Sequence, residues 1–209
     1  MIRSRLFRSL PVILSLLVIA SCSDSGSSSL TAPAESAAHR SSGALPAVPG
    51  LSGLPVDATG LELRAAWWDK KHGNQVRVSK TIDASGGTIS IPETGLTVSF
   101  PAGAVTAPIT ITITADEKYV AYKMEPTGTR FLKDVTVTQS LAATEFGLRP
   151  LRTQLFAAYI SDDGEKLSGK VPVLELEPSE TIFSPLQPLI PQAHVWIIRH
   201  FSRYMLASG

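Results

Sequence analysis

His200 and Ser202 are the residues of this 209-residue chain whose types and spacing come nearest to a chemical pair. Two apart in an extended strand, they share a face and lie about 6.5–7 Å from each other along the chain. There a neutral imidazole can act as base to a hydroxyl nucleophile. The same stretch also reads as a plain closing strand, with Phe201 in the core and His200 and Ser202 at solvent or paired across the edge. Other constellations do not assemble. His194 and His200 are six apart, too far on one strand to chelate a metal, while His39 and His72 fall in a Ser/Ala-rich stretch and an expected turn. Asp162-Asp163-Gly164-Glu165 lacks the spacing of a calcium loop and reads as a hairpin turn. Ser179 and Ser184 have no Gly-x-Ser-x-Gly context, and no phosphate loop or dinucleotide fingerprint occurs. No metal and no cofactor is expected.

The remaining reactive side chain is Cys22, the single cysteine. Arg3, Arg5 and Arg8 precede an apolar run from Leu10 to Ala20. That run is far shorter than the roughly 20 residues needed to span a bilayer, and it fits a removed secretory signal over 1–21. Ile19-Ala20-Ser21-Cys22 has the form of a bacterial lipobox, in which the cysteine is acylated before cleavage. The plainer alternative is a signal peptidase site that happens to end near a cysteine. Two or more acyl chains, palmitate among them, would hold the mature chain stably on a membrane. Resemblance to known lipoproteins, with Ser23 rather than an inner-membrane retention signal directly after the cysteine, implies the outer membrane rather than the inner where the envelope has both. With Cys22 acylated, no disulfide within the chain is possible.

Residues 22–57 are dominated by Ser, Ala, Gly and Pro and are expected to be a disordered tether. Loss of the signal removes three arginines and no acid, taking the formal charge from +1 to about −2. No basic patch stands out, which argues against a nucleic-acid partner. The roughly 150 residues that remain are enough to bury a core without cross-links.

From about residue 80 the pattern has period two. Thr88-Ile89-Ser90-Ile91, Leu96 to Phe100, Ile109 to Thr114 and Val135 to Thr138 put Ile or Val on one face and Thr or Ser on the other. β-Branched residues in alternation mark half-buried strands. Leu155 to Ile160, Val171 to Leu176 and His194 to Tyr204 are further strands; Pro178 to Pro191 reads as a long edge connection and Ala142 to Leu148 as a short helical turn. Leu61 to Val78 reads as a leading hairpin turning at His72-Gly73-Asn74. Trp67 and Trp68 would face opposite sides of it, leaving one exposed as rim packing or as a binding surface. The expected fold is all-β: one sandwich of short antiparallel strands over 58–209.

Two blocks carry a family resemblance. The first is Gly86-Gly87-Thr88 followed by Gly95-Leu96-Thr97-Val98-Ser99-Phe100-Pro101-Ala102-Gly103-Ala104-Val105; the second is Tyr122 to Phe131 leading into Val135-Thr136-Val137. With His200-Phe201-Ser202-Arg203-Tyr204 they resemble the ZU-five domain, the β-sandwich of zona-occludens proteins, netrin receptors and ankyrins. The resemblance covers most of 80–206, loosely over 140–195, and implies an interaction module. Some members of that family cut themselves in a His-Phe-Ser sequence, which here would be His200, Phe201 and Ser202. By that analogy Ser202 attacks the Phe201 carbonyl, and water hydrolyses the resulting ester.

Three readings of function stand at this point. The first is a membrane-anchored envelope lipoprotein acting as a non-catalytic interaction or structural module, with an unknown protein or glycan partner. The second is a self-cleaving domain. The third is a carbohydrate-binding sandwich using Trp67, Trp68 and Trp196, which requires two exposed coplanar rings.

Overall fold

The described residues of this computed structural model are 51, 53–163 and 166–209, and they form strands and turns with no helix. Cys22, His39, the Ser/Gly-rich stretch and half of the Asp162–Glu165 turn lie outside them. The strands are β1 (Val56–Asp57), β2 (Glu62–Ala65), β3 (Arg77–Ile82), β4 (Gly87–Ile91), β5 (Leu96–Phe100), β6 (Ile109–Ala115) and β7 (Ala121–Glu125). They continue with β8 (Arg130–Ser140), β9 (Leu155–Ile160), β10 (Lys170–Pro172), β11 (Glu175–Glu177), β12 (Ser179–Phe183), β13 (Pro191–His200) and β14 (Arg203–Ser208). All pairings are antiparallel and make two sheets. One runs β12-β13-β8-β5-β4; the other runs β1-β11-β9-β14-β7-β6-β3, with β2 joined to β10 and β14.

The alternating segments behave as their pattern requires. In β6, Ile111 and Ile113 are wholly buried, while Thr110 and Thr112 meet Thr81 and Ser79 of β3 through hydroxyl pairs of 3.0 and 2.8 Å. Ser90 and Thr97 do the same between β4 and β5 at 2.9 Å. Val98, Val137 and Trp196 form one cross-strand row facing the other sheet, all buried. Each such aliphatic side chain contributes about 1.5–3 kcal/mol by leaving water. Between the sheets the Tyr122 hydroxyl donates to Gln139 Oε1 (2.5 Å), and Gln139 Nε2 donates to the carbonyls of Thr94 and Ser140 (both 2.7 Å). This chain of bonds satisfies the buried amide and links β7 to β8.

A second, smaller core has its own wall. β2 pairs with β14, β14 with β9, β9 with β11, and β10, two residues before β11, pairs back with β2. The ring of pairings encloses Leu63, Ala65, Ala158, Ile160, Val171 and Met205.

Five expectations need correction. Leu61 to Val78 is no hairpin, since β2 joins β10 and β14 while β3 joins β6. The adjacent tryptophans break the alternation there: Trp67 bridges to Tyr119 and Trp68 to Thr144, carrying the chain across. Val171 to Leu176 is two strands, because Val173 N–H goes to Leu61 and Leu174 N–H to Tyr159, a change of partner within one residue. The Pro178–Pro191 interval contains edge strand β12, flanked rather than interrupted by prolines, and turns back over 184–190. Ala142 to Leu148 forms turns whose Thr144 is pinned to Trp68. The expected tether does not extend to residue 57, since Val56 and Asp57 pair with Leu176 and Glu175.

His194 lies in the core of β13, 1% exposed, with Nδ1 3.0 Å from the Thr181 hydroxyl and Nε2 without a partner. Burial pushes its pKa down to about 4. Between that value and the ordinary value near 6.5, the unfolded chain takes up a proton that the folded chain refuses. Stability therefore falls as pH drops through this window, by about 3 kcal/mol from this group. Urea unfolding between pH 4 and pH 7 should show His194→Gln losing about that much less stability than the parent on acidification. Parallel curves would mean that His194 is protonated in the folded protein.

Candidate functional site

The chain changes sheet at Phe201 and Ser202. β13 runs beside β8 up to the pairing of His200 with Arg130, and β14 starts at Arg203 in the other sheet, between β7 and β9. The single strand expected over His194 to Tyr204 is thus two strands and a bend at Ser202. Phe201 points into an edge-to-face triangle with Phe131 (4.7 Å between centroids) and Phe100 (6.0 Å), themselves 5.7 Å apart. Such pairs contribute about 0.5–1.5 kcal/mol each beyond burial.

Main-chain bonds fix the corner on every side. Phe201 N–H donates to Thr129 O (2.8 Å), Gly128 N–H donates to Phe201 O (2.8 Å), and Met124 N–H donates to Ser202 O (2.9 Å). Gly128 has φ +82°, a conformation that side-chain-bearing residues rarely adopt, and this aims its N–H at the Phe201 carbonyl. The Tyr204 hydroxyl reaches back to donate to His200 O at 2.8 Å, clipping the two arms of the corner together.

His200 and Ser202 therefore do not share a strand face. Ser202 is buried in the bend, 2% exposed, neither at solvent nor on an edge. The His200 imidazole turns to the Tyr159 ring (5.1 Å) and to the Tyr204 hydroxyl, 3.3 Å from Nδ1. The Gly128 N–H does sit on the carbonyl that an attack by Ser202 would charge, but the imidazole's hydrogen bond runs to Tyr204.

Two carboxylates the sequence reading passed over complete the surroundings of His200. Glu175 of β11 stands opposite Tyr159, which stands opposite Tyr204, so all three lie on the face between the sheets. Glu177 shares that face, is 5% exposed, and has no hydrogen-bond partner for either carboxylate oxygen. Burial pushes its pKa up to about 8, with Glu175 adding to the rise and Arg199 opposing it. One ligand atom from each of Glu175, Glu177 and His200 lies within 4.8 Å of the others. The run Leu174-Glu175-Leu176-Glu177 reads as leucine inward and glutamate outward. Here Leu176 packs on the second core, and the glutamates take the inter-sheet side. With both faces of β11 covered, periodicity carries no signal for this.

The tryptophans do not build a sugar platform. Trp68 and Trp196 are buried, and the Trp68 indole N–H donates to Asp116 O at 2.9 Å. Trp67 is 42% exposed, as expected for one of the adjacent pair, but the Arg64 guanidinium lies 4.5 Å from its ring centroid. Arg64 is held there by both Glu145 oxygens at 2.9 and 3.0 Å. No protein-family model matches this chain, and no curated protein sequence does.

Two measurements follow from the corner. Tyr204→Phe keeps the ring and leaves the His200 carbonyl without its donor, which should cost about 1–3 kcal/mol in urea unfolding. Intact mass under denaturing conditions should give a single uncut species after days at neutral pH. Denaturation matters because β14 would stay bound between its neighbours even if the Phe201–Ser202 bond were cut. Loss of the Ser202–Gly209 peptide, abolished by Ser202→Ala, would instead assign self-cleavage to this corner.

Proposed function

We propose that this chain is a lipid-anchored lipoprotein of the bacterial envelope whose β-sandwich acts as a non-catalytic interaction or structural module of ZU-five type. The observation that carries the reading is Ile19-Ala20-Ser21-Cys22 at the end of a basic and then apolar leader, with Cys22 the only cysteine. Acylation there supplies the membrane association, and the Ser/Ala/Gly/Pro segment supplies reach. The ZU-five resemblance is supported by its two turn blocks, where Gly103 (φ +79°) and Gly128 (φ +82°) take left-handed conformations and Phe131 re-enters the core. A contact surface for a protein partner is offered by Leu148, Leu186 and Leu189, exposed by 85%, 91% and 66%. They lie on two loops that a bond from Leu151 N–H to Leu189 O joins at 2.9 Å. Exposed leucines on adjoining loops suit an apolar contact.

Labelled palmitate should enter the full chain in a bacterial host and not its Cys22→Ala variant, which should move from the membrane to the soluble fraction. Equal membrane association of both would sink the lipoprotein reading. For the module itself, cross-linking on intact envelopes should give a discrete adduct that the double variant Leu148→Ser, Leu186→Ser loses. An adduct insensitive to those substitutions would place the contact elsewhere.

A further inference from the structure

We propose that Glu175, Glu177 and His200 form a site for one divalent transition-metal cation, zinc by preference, that ties β11 to the corner after β13. The proposal is independent of the lipid anchor and of the ZU-five reading.

The first ground is convergence. The three side chains come from strands of different sheets, yet their ligand atoms lie within 4.8 Å of one another. Bonds of about 2.0–2.2 Å in tetrahedral geometry separate neighbouring ligand atoms by about 3.4 Å. Closing the remaining gap takes side-chain adjustment with no movement of strands.

The second ground is Glu177 itself. It is 95% buried, and both oxygens are cut off from solvent without a hydrogen-bond partner. A carboxylate in that position requires a compensating charge or donors. Protonation would remove the charge but add an O–H with no acceptor. Arg199 is the cationic side chain whose charge opposes that burial. Its Nε and Nη2 are engaged by Asp134 at 2.8 and 3.1 Å and by the Gly53 carbonyl at 2.7 Å, and its buried Nη1 makes no hydrogen bond to Glu177 or to any other group. A cation held against Glu177 supplies what the protein lacks.

The third ground is the orientation of His200. The single Tyr204 hydroxyl proton goes to the His200 carbonyl, so toward Nδ1 the phenol oxygen can only accept. That arrangement places the imidazole proton on Nδ1 and leaves the Nε2 lone pair for a metal, as outer-shell partners of ligating histidines do. One imidazole and two carboxylates match zinc better than magnesium or calcium, which prefer oxygen alone. Two carboxylates also neutralise the dication, and Asp57, opposite Glu175 in the register, adds negative potential. Glu175 and His200 are only part-buried, so the site keeps an open side for water.

The test uses the protein expressed from its full sequence and purified in detergent, whether or not it carries acyl chains, without a polyhistidine tag and stripped with a chelator. Calorimetric titration with zinc chloride should give one site per chain, micromolar or tighter, and zinc should raise the melting temperature. Glu177→Gln and His200→Asn should each weaken binding by at least about 100-fold, and Tyr204→Phe by about 10-fold. Glu177→Gln removes a buried carboxylate, so its metal-free melting temperature should equal or exceed that of the parent while the zinc-induced rise disappears. Glu175→Gln, on the open side, should fold normally and also lose the rise. The proposal is overturned if the folded parent does not bind zinc. It is equally overturned if binding survives in Glu177→Gln or Glu175→Gln, or if magnesium or calcium binds more tightly than zinc.

Discussion

The fold depends on one constraint: a single uninterrupted stretch of chain must lie near the middle of both sheets. β13 has β12 and β8 as neighbours, and two residues later β14 has β9 on one side with β7 and then β2 on the other. The position of one sheet over the other is therefore set by Phe201 and Ser202. A corner of two residues cannot float. It is held by an apolar plug, Phe201 against Phe100 and Phe131, and by hydrogen bonds from Gly128, Met124 and Tyr204 that leave few backbone groups to water. The same geometry makes β14 a late piece of a central sheet. Neither the ring around the second core nor the β7–β9 gap can close before residues 203–208 are in place. Such non-local closure is entropically costly and slow to reach, which makes the corner the natural focus of cooperativity.

How much of this was legible in the sequence follows from how many faces each strand buries. β4, β5, β6 and β8 have one face on the inter-sheet core and one partly wet, so alternation marks β4, β5 and β6 to within a residue and finds the centre of β8, missing its first five residues. β11 has both faces covered, and β2 and β10 are three or four residues long with partners far away in the chain, so their pattern says little about where they pair. The Trp67-Trp68 pair shows the difference. Its exposed and buried members follow from the pleat, whereas the bridges of Trp67 to Tyr119 and Trp68 to Thr144 that dissolve the expected hairpin are long-range facts. Periodicity fixes which way a side chain points within a strand and leaves open which strand lies alongside.

The site was half legible for the same reason. His200 stands out by type, and its spacing from Ser202 suggested a base beside a nucleophile. That inference assumed an unbroken strand, and the bend at Ser202 removes the assumption by burying the hydroxyl and turning the imidazole toward Tyr159 and Tyr204. The groups that do meet His200 come from 23 and 25 positions earlier in the chain, in a Leu/Glu alternation that on its face says solvent. Only the wrapping of β11 over the inter-sheet side reverses that sense.

Inward glutamates at the edge of a sandwich go against the pattern that built the rest of it. Ala157 and Leu206 share a register row with Glu177, and an apolar residue there would pack beside them without the desolvation of a carboxylate. Local violations of this kind concentrate where a protein binds or reacts, because elsewhere they carry a cost with nothing to offset it. Here the violation stands next to the one histidine whose backbone carbonyl is clipped by Tyr204, at the point where the sheets exchange their chain. A charge-bearing ligand held by β11 and the end of β13 would act directly on the geometry that the corner imposes. The corner and a buried carboxylate without a hydrogen-bond partner thus belong to one neighbourhood, so that a ligand bound there would be coupled to the packing of the two sheets.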